Sequence, residues 1–165
     1  MIYLLDANVF IEAKDRNYGF DFCPAFWEWL IKPHAGARIL SIKEVFDEIV
    51  GKEDELSDWV KDEGRLLFQE SDQPDAEYFG KVVSWVNNHT QYRRPAAEAF
   101  FNGADYKLIA HALAKGYTVV THEERAPQSK KSVKIPDVCD GIGVVCWDPF
   151  EMLRHEEAKF VPSPG

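Results

Sequence analysis

The first thirteen residues, Met1–Ala13, read MIYLLDANVFIEA and begin the strand-to-helix unit around which the rest of the chain is arranged. An apolar run, Ile2–Leu5, stops at Asp6, and a second apolar run resumes after Asn8. Short apolar runs rich in branched and aromatic residues are typical of buried strands when a polar residue ends them. In open parallel sheets, ligands bind at the ends of such strands. Asp6 is therefore either the N-cap of the next helix or a functional carboxylate, and this stretch alone leaves both open.

The composition is that of a soluble globular protein. A chain of 165 residues, 45% hydrophobic and 28% charged, is long enough for one domain with its own core. The odd number of cysteines (three) predicts reduced thiols and a cytoplasmic protein. We expect no membrane segment, because no apolar run has the required length, and no signal peptide, because no basic region precedes the N-terminal apolar run.

The formal net charge of −9 argues against a general nucleic-acid-binding protein, which is usually basic. It does not exclude an enzyme that meets phosphates through metal ions held by its own carboxylates. Net charge therefore leaves the function open, and the positions of the acids have to decide it.

Short strands alternate with helical segments along the chain. After Ile2–Leu5, the predicted strands are Arg38–Leu40, Tyr117–Val120 and Gly143–Cys146. This alternation predicts an α/β fold with a central parallel sheet between two layers of helices. We expect a single domain over residues 1–155 and a C-terminal tail over residues 156–165, frayed from Phe160 onwards.

A helix predicted from its cap at Ser41 to Val50 carries two candidate acids. At about 100° per residue, Glu44 falls nearly opposite the apolar stripe and Glu48 lies closer to its margin. A carboxylate at the edge of a buried face can reach a cleft. Glu48 is therefore the better functional candidate, with a solvated surface glutamate as the alternative.

Two further acids, Asp105 and Glu123, are candidates for the same site. Asp105 lies in the first turn of the predicted helix Ala104–Lys115, on the same face as its apolar residues. The helix dipole favours an acid in the first turn but does not explain an inward one, because burying an unpaired charge is costly. Glu123 follows the strand Tyr117–Val120.

Together the four acids predict a metal site. Like charges gathered at one edge of a sheet repel each other unless a cation holds them. Carboxylate oxygens are ligands that suit Mg²⁺ or Mn²⁺. Such an ion can make a bound water more acidic and stabilise the charge of a phosphodiester under attack.

The ordered set of motifs resembles a PIN domain. Asp6-x-Asn8, Ser41 followed by Glu48-Ile49, Ala104-Asp105 leading into Leu108-Ile109-Ala110, and Val120-Thr121-x-Glu123 occur in that order. More closely, the segments FWEWL, VFDEI, DELSDW, ADYKLIAHA, VVTHE and KIPDVC resemble a prokaryotic PIN-like family without an assigned role. The resemblance extends from Met1 to about Leu153.

This resemblance implies a metal-dependent endoribonuclease, often the toxin of a toxin–antitoxin pair. By the match, the metal-binding and catalytic acids are Asp6, Glu48, Asp105 and Glu123. Asn8 and Thr121 match neighbouring polar positions that orient a carboxylate or a water. PIN domains more often have Asp at the fourth acid, so Glu123 weakens the case for two ions. The implied partners are RNA, a cognate antitoxin and a second copy of the chain.

For other polar residues, both a functional role and an ordinary structural or surface role remain open. Lys130, Lys131 and Lys134 belong to a basic loop after Glu123 and are either contacts to RNA phosphates or a solvated charge run. Asp137 is expected to cap a helix rather than line the site.

Two other functions are compatible with parts of the pattern. A haloacid-dehalogenase-like phosphatase also has an Asp after its first strand, but it needs a second acid two positions later, where this chain has Asn8. A PIN-like scaffold without catalytic activity would need none of the four acids, and all four are present.

Overall fold

The structure is a computed structural model that describes residues 1–32, 36, 38–69 and 73–162. Its strands are β1 (Ile2–Leu5), β2 (Arg38–Ile42), β3 (Phe68–Gln69), β4 (Thr118–Val120) and β5 (Cys146–Trp147). Its α-helices are α1 (Ala7–Glu12), α2 (Pro24–Ile31), α3 (Lys43–Val50), α4 (Glu55–Asp62), α5 (Ala76–Asn88), α6 (Arg94–Asn102), α7 (Asp105–Lys115), α8 (Ile135–Ile142) and α9 (Pro149–His155). A π-helical turn, Ala13–Asn17, extends α1, and a 3₁₀ turn, Arg65–Leu67, precedes β3.

The five strands form one parallel sheet in the order β3-β2-β1-β4-β5. In its register, Tyr3 of β1 lies between Ile39 of β2 and Thr118 of β4. Helices connect the parallel strands and flank the sheet, which confirms the predicted α/β fold with a central parallel sheet. Because every strand runs in the same direction, all five carboxyl ends lie at one edge of the sheet.

The centre of the sheet is fully buried. Tyr3, Leu4 and Leu5 of β1 are at most 3% exposed, and Val119 and Val120 of β4 are inaccessible to solvent. Strands covered on both faces read as continuous apolar runs rather than as alternating ones, as β1 does. A second set of packed side chains lies under α2 and is aromatic; it comprises Tyr18, Phe20, Phe26, Trp27, Trp59 and Phe160.

The prediction that Ser41 caps α3 is wrong. Ser41 belongs to β2, which continues to Ile42, and α3 begins at Lys43 without a side-chain cap. The buried Ser41 hydroxyl instead donates a hydrogen bond of 2.6 Å to the carbonyl oxygen of Leu5. This bond joins the ends of β1 and β2 immediately before Asp6.

The segment after the last helix packs against the domain as far as Phe160. The Tyr3 hydroxyl donates a hydrogen bond to Glu156, and the ring of Phe160 contacts Tyr18 and Phe26. The prediction of fraying is therefore wrong at Phe160, because its ring is partly buried in the aromatic cluster. Residues 163–165, and residues 33–35 of the turn predicted after α2, lie outside the described residues.

Several element boundaries differ from the predicted ones by a few residues. The last strand is Cys146–Trp147 rather than Gly143–Cys146, because Gly143 adopts the left-handed conformation (φ 82°) that ends α8.

In the described part of the chain, no helix combines the length and the apolar character needed to cross a membrane.

Candidate active site

Asp6 lies at the carboxyl edge of the sheet, between the end of β1 and the start of α1. It is the N-cap of α1, and its Oδ1 accepts a hydrogen bond of 2.8 Å from the backbone N–H of Ala7. Its backbone N–H donates to the carbonyl of Val120 on β4, which continues the pairing of the two central strands. Asp6 is only 6% exposed. The cap and the functional interpretation are therefore compatible, since the second carboxylate oxygen remains for another contact.

That second oxygen contacts Thr121, which follows β4. The Thr121 hydroxyl donates to Asp6 Oδ2 at 3.0 Å and accepts from Asn8 Nδ2 and from the backbone N–H of Glu123, both at 3.1 Å. Asn8 Oδ1 in turn accepts from the N–H of His122 at 3.0 Å. A hydroxyl has one hydrogen to donate and two lone pairs, so the hydrogen-bonding capacity of Thr121 is fully used. Asn8 and Thr121 thus hold the two strand ends together around Asp6.

Asp105 and Glu123 approach Asp6 from two other elements. Asp105 is the first residue of α7 and is half-buried, and Glu123 lies in the segment after β4. Glu123 Oε2 accepts a hydrogen bond of 2.8 Å from the backbone N–H of Ile135 at the start of α8. This bond fixes one oxygen of the glutamate and orients its side chain toward the start of α8.

The electrostatics show that these acids share one environment. Burial, followed by repulsion from Asp105 and Glu123, raises the pKa of Asp6 to about 8. Burial, followed by repulsion from Glu123 and Glu48, raises the pKa of Asp105 to about 7. Burial also raises the pKa of Glu123. Each carboxylate is thus destabilised by its burial and by an acidic neighbour.

The two acids of α3 differ in their exposure to solvent. Glu44 is half-buried and forms an ion pair with Lys107 of α7 at 3.6 Å, with 24% of its side chain exposed. Glu48 is exposed, yet its charge contributes to the raised pKa of Asp105. The predicted exposure of Glu44 was wrong, because Lys107 of α7 lies over it, whereas the exposure of Glu48 agrees with the alternative of a solvated surface glutamate. That Glu48 reaches the site stays a prediction.

The donor chemistry of the four acids fits a hard divalent cation. Carboxylate oxygens from Asp6, Glu48, Asp105 and Glu123 are the ligand type that Mg²⁺ and Mn²⁺ prefer. In the part of the chain that the structure describes, no three His, Cys, Asp or Glu side chains are arranged as a ready-made metal site.

The structure separates the three lysines of the basic loop. Lys134 is half-buried, and its charge lowers the pKa of both Asp105 and Glu123, so it lies next to the acids. Lys131 is exposed and lines a cavity together with Lys134, Asp105 and Glu123. Lys130 is exposed, does not line that cavity, and has its carbonyl bonded to the N–H of Arg93 at 2.9 Å.

Asp137 fixes the loop instead of capping a helix, which corrects the prediction. α8 has Lys134 as its N-cap residue without a side-chain bond, whereas Asp137 Oδ2 accepts from the N–H of Ala126 at 2.9 Å. Asp137 is 8% exposed. Gln91 adds a bond of 2.8 Å from its Nε2 to the carbonyl of Pro127. The loop from 126 to 134 is therefore attached at several points to α8 and to the α5–α6 connection.

One side of the site could not be identified from the sequence. Pro95, Ala96, Ala99 and Phe100 of α6 line the same cavity as the acids and the two lysines. These small and apolar residues carry no catalytic group, so no motif could have identified them. Their role follows from the packing of α6 beside the loop.

Comparison with known proteins gives a family and a fold. The family model described as a domain of unknown function, DUF4411, matches residues 3–160. Among solved structures, VapBC-1 from nontypeable Haemophilus influenzae is similar with a TM-score of 0.53 and 14% identity, over 90% of this chain and 98% of that one. VapBC2 from Rickettsia felis, solved bound to a DNA fragment from its promoter, is similar with a TM-score of 0.55 and 17% identity over the same shares. No curated protein matches.

At these identities the two structures establish the fold alone, and the family match covers nearly the whole chain. Both agree with the resemblance to PIN-like proteins that the motifs indicated. The chain belongs to the DUF4411 family, and its fold is PIN-like.

Proposed function

We propose that the protein is a metal-dependent endoribonuclease that hydrolyses RNA phosphodiester bonds. The observation that carries the proposal is that Asp105 and Glu123 line one cavity and that repulsion from both of them contributes to the raised pKa of Asp6. Acids that are shielded from solvent and repel each other destabilise the fold unless a cation offsets their charge, so such a cluster indicates a functional site. The fold shared with the two VapBC chains supports a nuclease at a general level.

We propose that Asp6, Glu48, Asp105 and Glu123 hold Mg²⁺ or Mn²⁺. When bound, the ion would supply an acidified water and stabilise charge on the phosphate. The residues of the chain have separate tasks. Thr121 and the N–H of Ala7 orient the two oxygens of Asp6, and the N–H of Ile135 orients Glu123. Lys134 offsets part of the negative charge beside Asp105 and Glu123, which favours the approach of an RNA phosphate.

Phosphoryl transfer to a carboxylate, as in a haloacid-dehalogenase-like phosphatase, is less well supported. That chemistry needs a proton donor two positions after Asp6, and the amide of Asn8 already bonds Thr121 and the N–H of His122. An amide with both ends engaged cannot serve as a general acid.

The proposal is tested with purified protein, single-stranded RNA and Mg²⁺ or Mn²⁺. We expect wild-type protein to cleave the RNA, and the Asp6→Asn/Asp105→Asn double variant to lose about a hundredfold or more of the activity. Asp62→Asn, a change of an exposed acid on α4, is the matched control and should keep full activity. Equal cleavage by wild type and double variant with both metals would overturn the proposal.

Calorimetry with Mn²⁺ provides a second readout that needs no cleavage. We expect wild type and Asp62→Asn to bind the ion and the double variant to bind it at least about tenfold more weakly. Absence of binding by wild type would instead favour a PIN-like scaffold that only binds a partner.

We further propose that the protein is the toxin of a toxin–antitoxin pair, as the PIN resemblance implies. Induced expression in a bacterial host should then arrest growth, and the double variant should not. Co-expression of the open reading frame next to this gene should relieve the arrest by binding the protein. Normal growth of cells that express active wild-type protein would contradict the toxin role without contradicting the nuclease.

A further inference from the structure

A cavity of about 290 Å³ opens directly beside the acids, between α6 and the segment 131–134. Its walls have three characters. Asp105 and Glu123 form one end, Lys131, Lys134 and Ser132 form a cationic and polar wall, and an apolar surface comes from Pro95, Ala96, Ala99, Phe100 and Val133. A ligand that contacts both the cationic wall and the apolar surface needs a negative group and a flat apolar face.

The volume limits the size of the ligand. Pockets for drug-sized molecules begin at about 300 Å³, so this cavity accepts roughly one nucleotide rather than a folded segment of a partner. Single-stranded RNA is recognised in this way, with a splayed base on an apolar or aromatic surface and its phosphate on basic side chains.

The cavity is held in shape on both sides. On the loop side, the carbonyl of Lys130 accepts from the N–H of Arg93, and the N–H of Ser132 donates to the Ser129 hydroxyl at 3.2 Å. On the helix side, Ala96 and Phe100 are buried, with 7% and 4% of their surface exposed, and they anchor α6 in the core. A preformed site loses less ordering entropy on binding than a mobile loop would.

We infer that this cavity is the subsite for one nucleotide of the RNA substrate, with the base against α6 and a phosphate on Lys131 and Lys134. The inference rests on the proposed nuclease function and specifies how that site holds its substrate. It also separates three lysines that are neighbours in sequence, since Lys130 does not line the cavity. An acidic peptide also matches the lysines, but it does not account for the apolar wall.

The test is an NMR titration of metal-free protein with three probes: a nucleoside 5′-monophosphate, the nucleoside without phosphate, and inorganic phosphate. We expect the monophosphate to bind at least about fivefold more tightly than either part, with the largest amide shifts at Ala99, Phe100 and Ser132. If inorganic phosphate binds as tightly as the nucleotide, or if the shifts lie outside the cavity, the inference is wrong.

Matched variants separate the two halves of the subsite. Ala99→Leu fills the apolar side and should weaken nucleotide binding by at least about fivefold, whereas Glu98→Leu, next to it but outside the cavity, should not. Lys131→Ala should weaken the monophosphate but not the nucleoside, and Lys130→Ala should change neither. If Ala99→Leu and Glu98→Leu weakened nucleotide binding equally, or if Lys131→Ala and Lys130→Ala did, the assignment would be wrong. Ala99 and Glu98 are both exposed, so both variants are expected to fold.

A short Glu-rich peptide is the competing probe. If it displaces the monophosphate and binds more tightly, the cavity is a peptide site and the nucleotide assignment fails. The titration needs no cleavage, so its outcome is independent of the nuclease test. Nucleotide binding by a protein that does not cleave RNA would contradict the proposed function but not the subsite.

Discussion

The Thr121 hydroxyl donates a hydrogen bond of 3.0 Å to Asp6 Oδ2 and thereby joins two residues that are 115 positions apart in the chain. The same hydroxyl accepts from Asn8 and from the N–H of Glu123. One small side chain thus connects the end of β1, the end of β4 and two of the four candidate ligands. Its loss affects every one of these groups.

Thr121→Val keeps the shape of the side chain and removes the hydroxyl. We expect a loss of about 1–3 kcal/mol of stability, because the Asn8 amide and the N–H of Glu123 lose their acceptor and Asp6 loses a donor. The Thr121 bond also lowers the pKa of Asp6, so the variant should raise that pKa further. Urea denaturation and carboxyl NMR titration measure the two effects.

Thr121→Ser is the matched control for this change. It keeps the hydroxyl and should restore most of the stability and the pKa of Asp6. A valine variant as stable as wild type, with an unchanged Asp6 titration, would show that the hydroxyl does not organise the site.

The stability of the metal-free protein should fall as the pH rises from about 4 to about 8. The pKa of Asp6 is about 8 in the folded protein and about 4 in the unfolded chain, so the folded state binds more protons in this range. Asp105, with a pKa of about 7, acts in the same direction. Denaturation curves in EDTA at several pH values measure the effect.

Asp6→Asn should weaken this pH dependence. Asparagine can still accept from the N–H of Ala7 as a helix cap, and it carries no charge. We expect the variant to gain stability relative to wild type as the pH rises from about 4 to about 8. Saturating Mn²⁺ should restore most of the stability that metal-free wild type loses at the higher pH. A metal-free wild type of constant stability over this range would show that the acids are well solvated.

Glu48 and Glu44 provide a test of which α3 acid belongs to the site. We expect Glu48→Gln to weaken Mn²⁺ binding by about tenfold or more, because its charge acts on Asp105. Glu44→Gln breaks the ion pair with Lys107 and should cost about 1 kcal/mol or less, with metal affinity nearly unchanged. Calorimetry measures the Mn²⁺ affinity of both variants, and denaturation measures their stability. The opposite ranking in metal affinity would assign Glu44 to the site.

Two helical glycines test the packing of α5 on α8. A Cβ on Gly141 would overlap the indole Nε1 of Trp85, whereas a Cβ on Gly80 meets nothing within 4 Å. We expect Gly141→Ala to destabilise the protein by about 1–3 kcal/mol through displacement of Trp85. Gly80→Ala, in the middle of α5, should stabilise it by about 0.5–1 kcal/mol. Similar effects of both changes would contradict this packing.

Asp54 combines a helix cap with an ion pair. Its Oδ1 accepts from the N–H of Ser57 at 3.0 Å, and its Oδ2 pairs with Lys14 at 2.8 Å. We expect Asp54→Ala to cost about 1–2 kcal/mol and Asp54→Asn, which keeps the cap, less than about 1 kcal/mol. The pair lowers the pKa of Asp54, so its contribution should be present at neutral pH and disappear as the pH falls below about 4. Equal losses in both variants would mean that the cap contributes nothing.

Much of the fold could be predicted because the strands are buried on both faces. The apolar run Ile2–Leu5 and the run that became β4 identified the two central strands, and their polar ends identified Asp6 and Thr121. The edge of the sheet was less predictable. β3 and β5 have two residues each, too few for a hydrophobic pattern, and Ser41 was mistaken for a cap because its pairing with the Leu5 carbonyl is a tertiary contact.

Three of the candidate acids could be named from the sequence because each follows a strand or begins a helix, and Glu48 could be named because it lies near the margin of the apolar stripe of α3. Their environment could not, since burial and mutual repulsion depend on which elements pack together. Helical geometry placed Glu44 toward solvent, but Lys107 of a distant helix lies over it. The same holds for Asp137, which the sequence placed at a helix cap and the fold places against the N–H of Ala126.

The sequence by itself determined the α/β class and the parallel sheet and named the four candidate acids, because these depend on local apolar patterns and on residues at element ends. The tertiary structure alone decided the hydrogen bond between Thr121 and Asp6, the separation of Lys131 and Lys134 from Lys130, and the apolar wall from α6. These features join residues far apart in the chain. Their physical basis is the packing of α6, α7 and the 126–134 loop around one edge of the sheet, which no local pattern encodes.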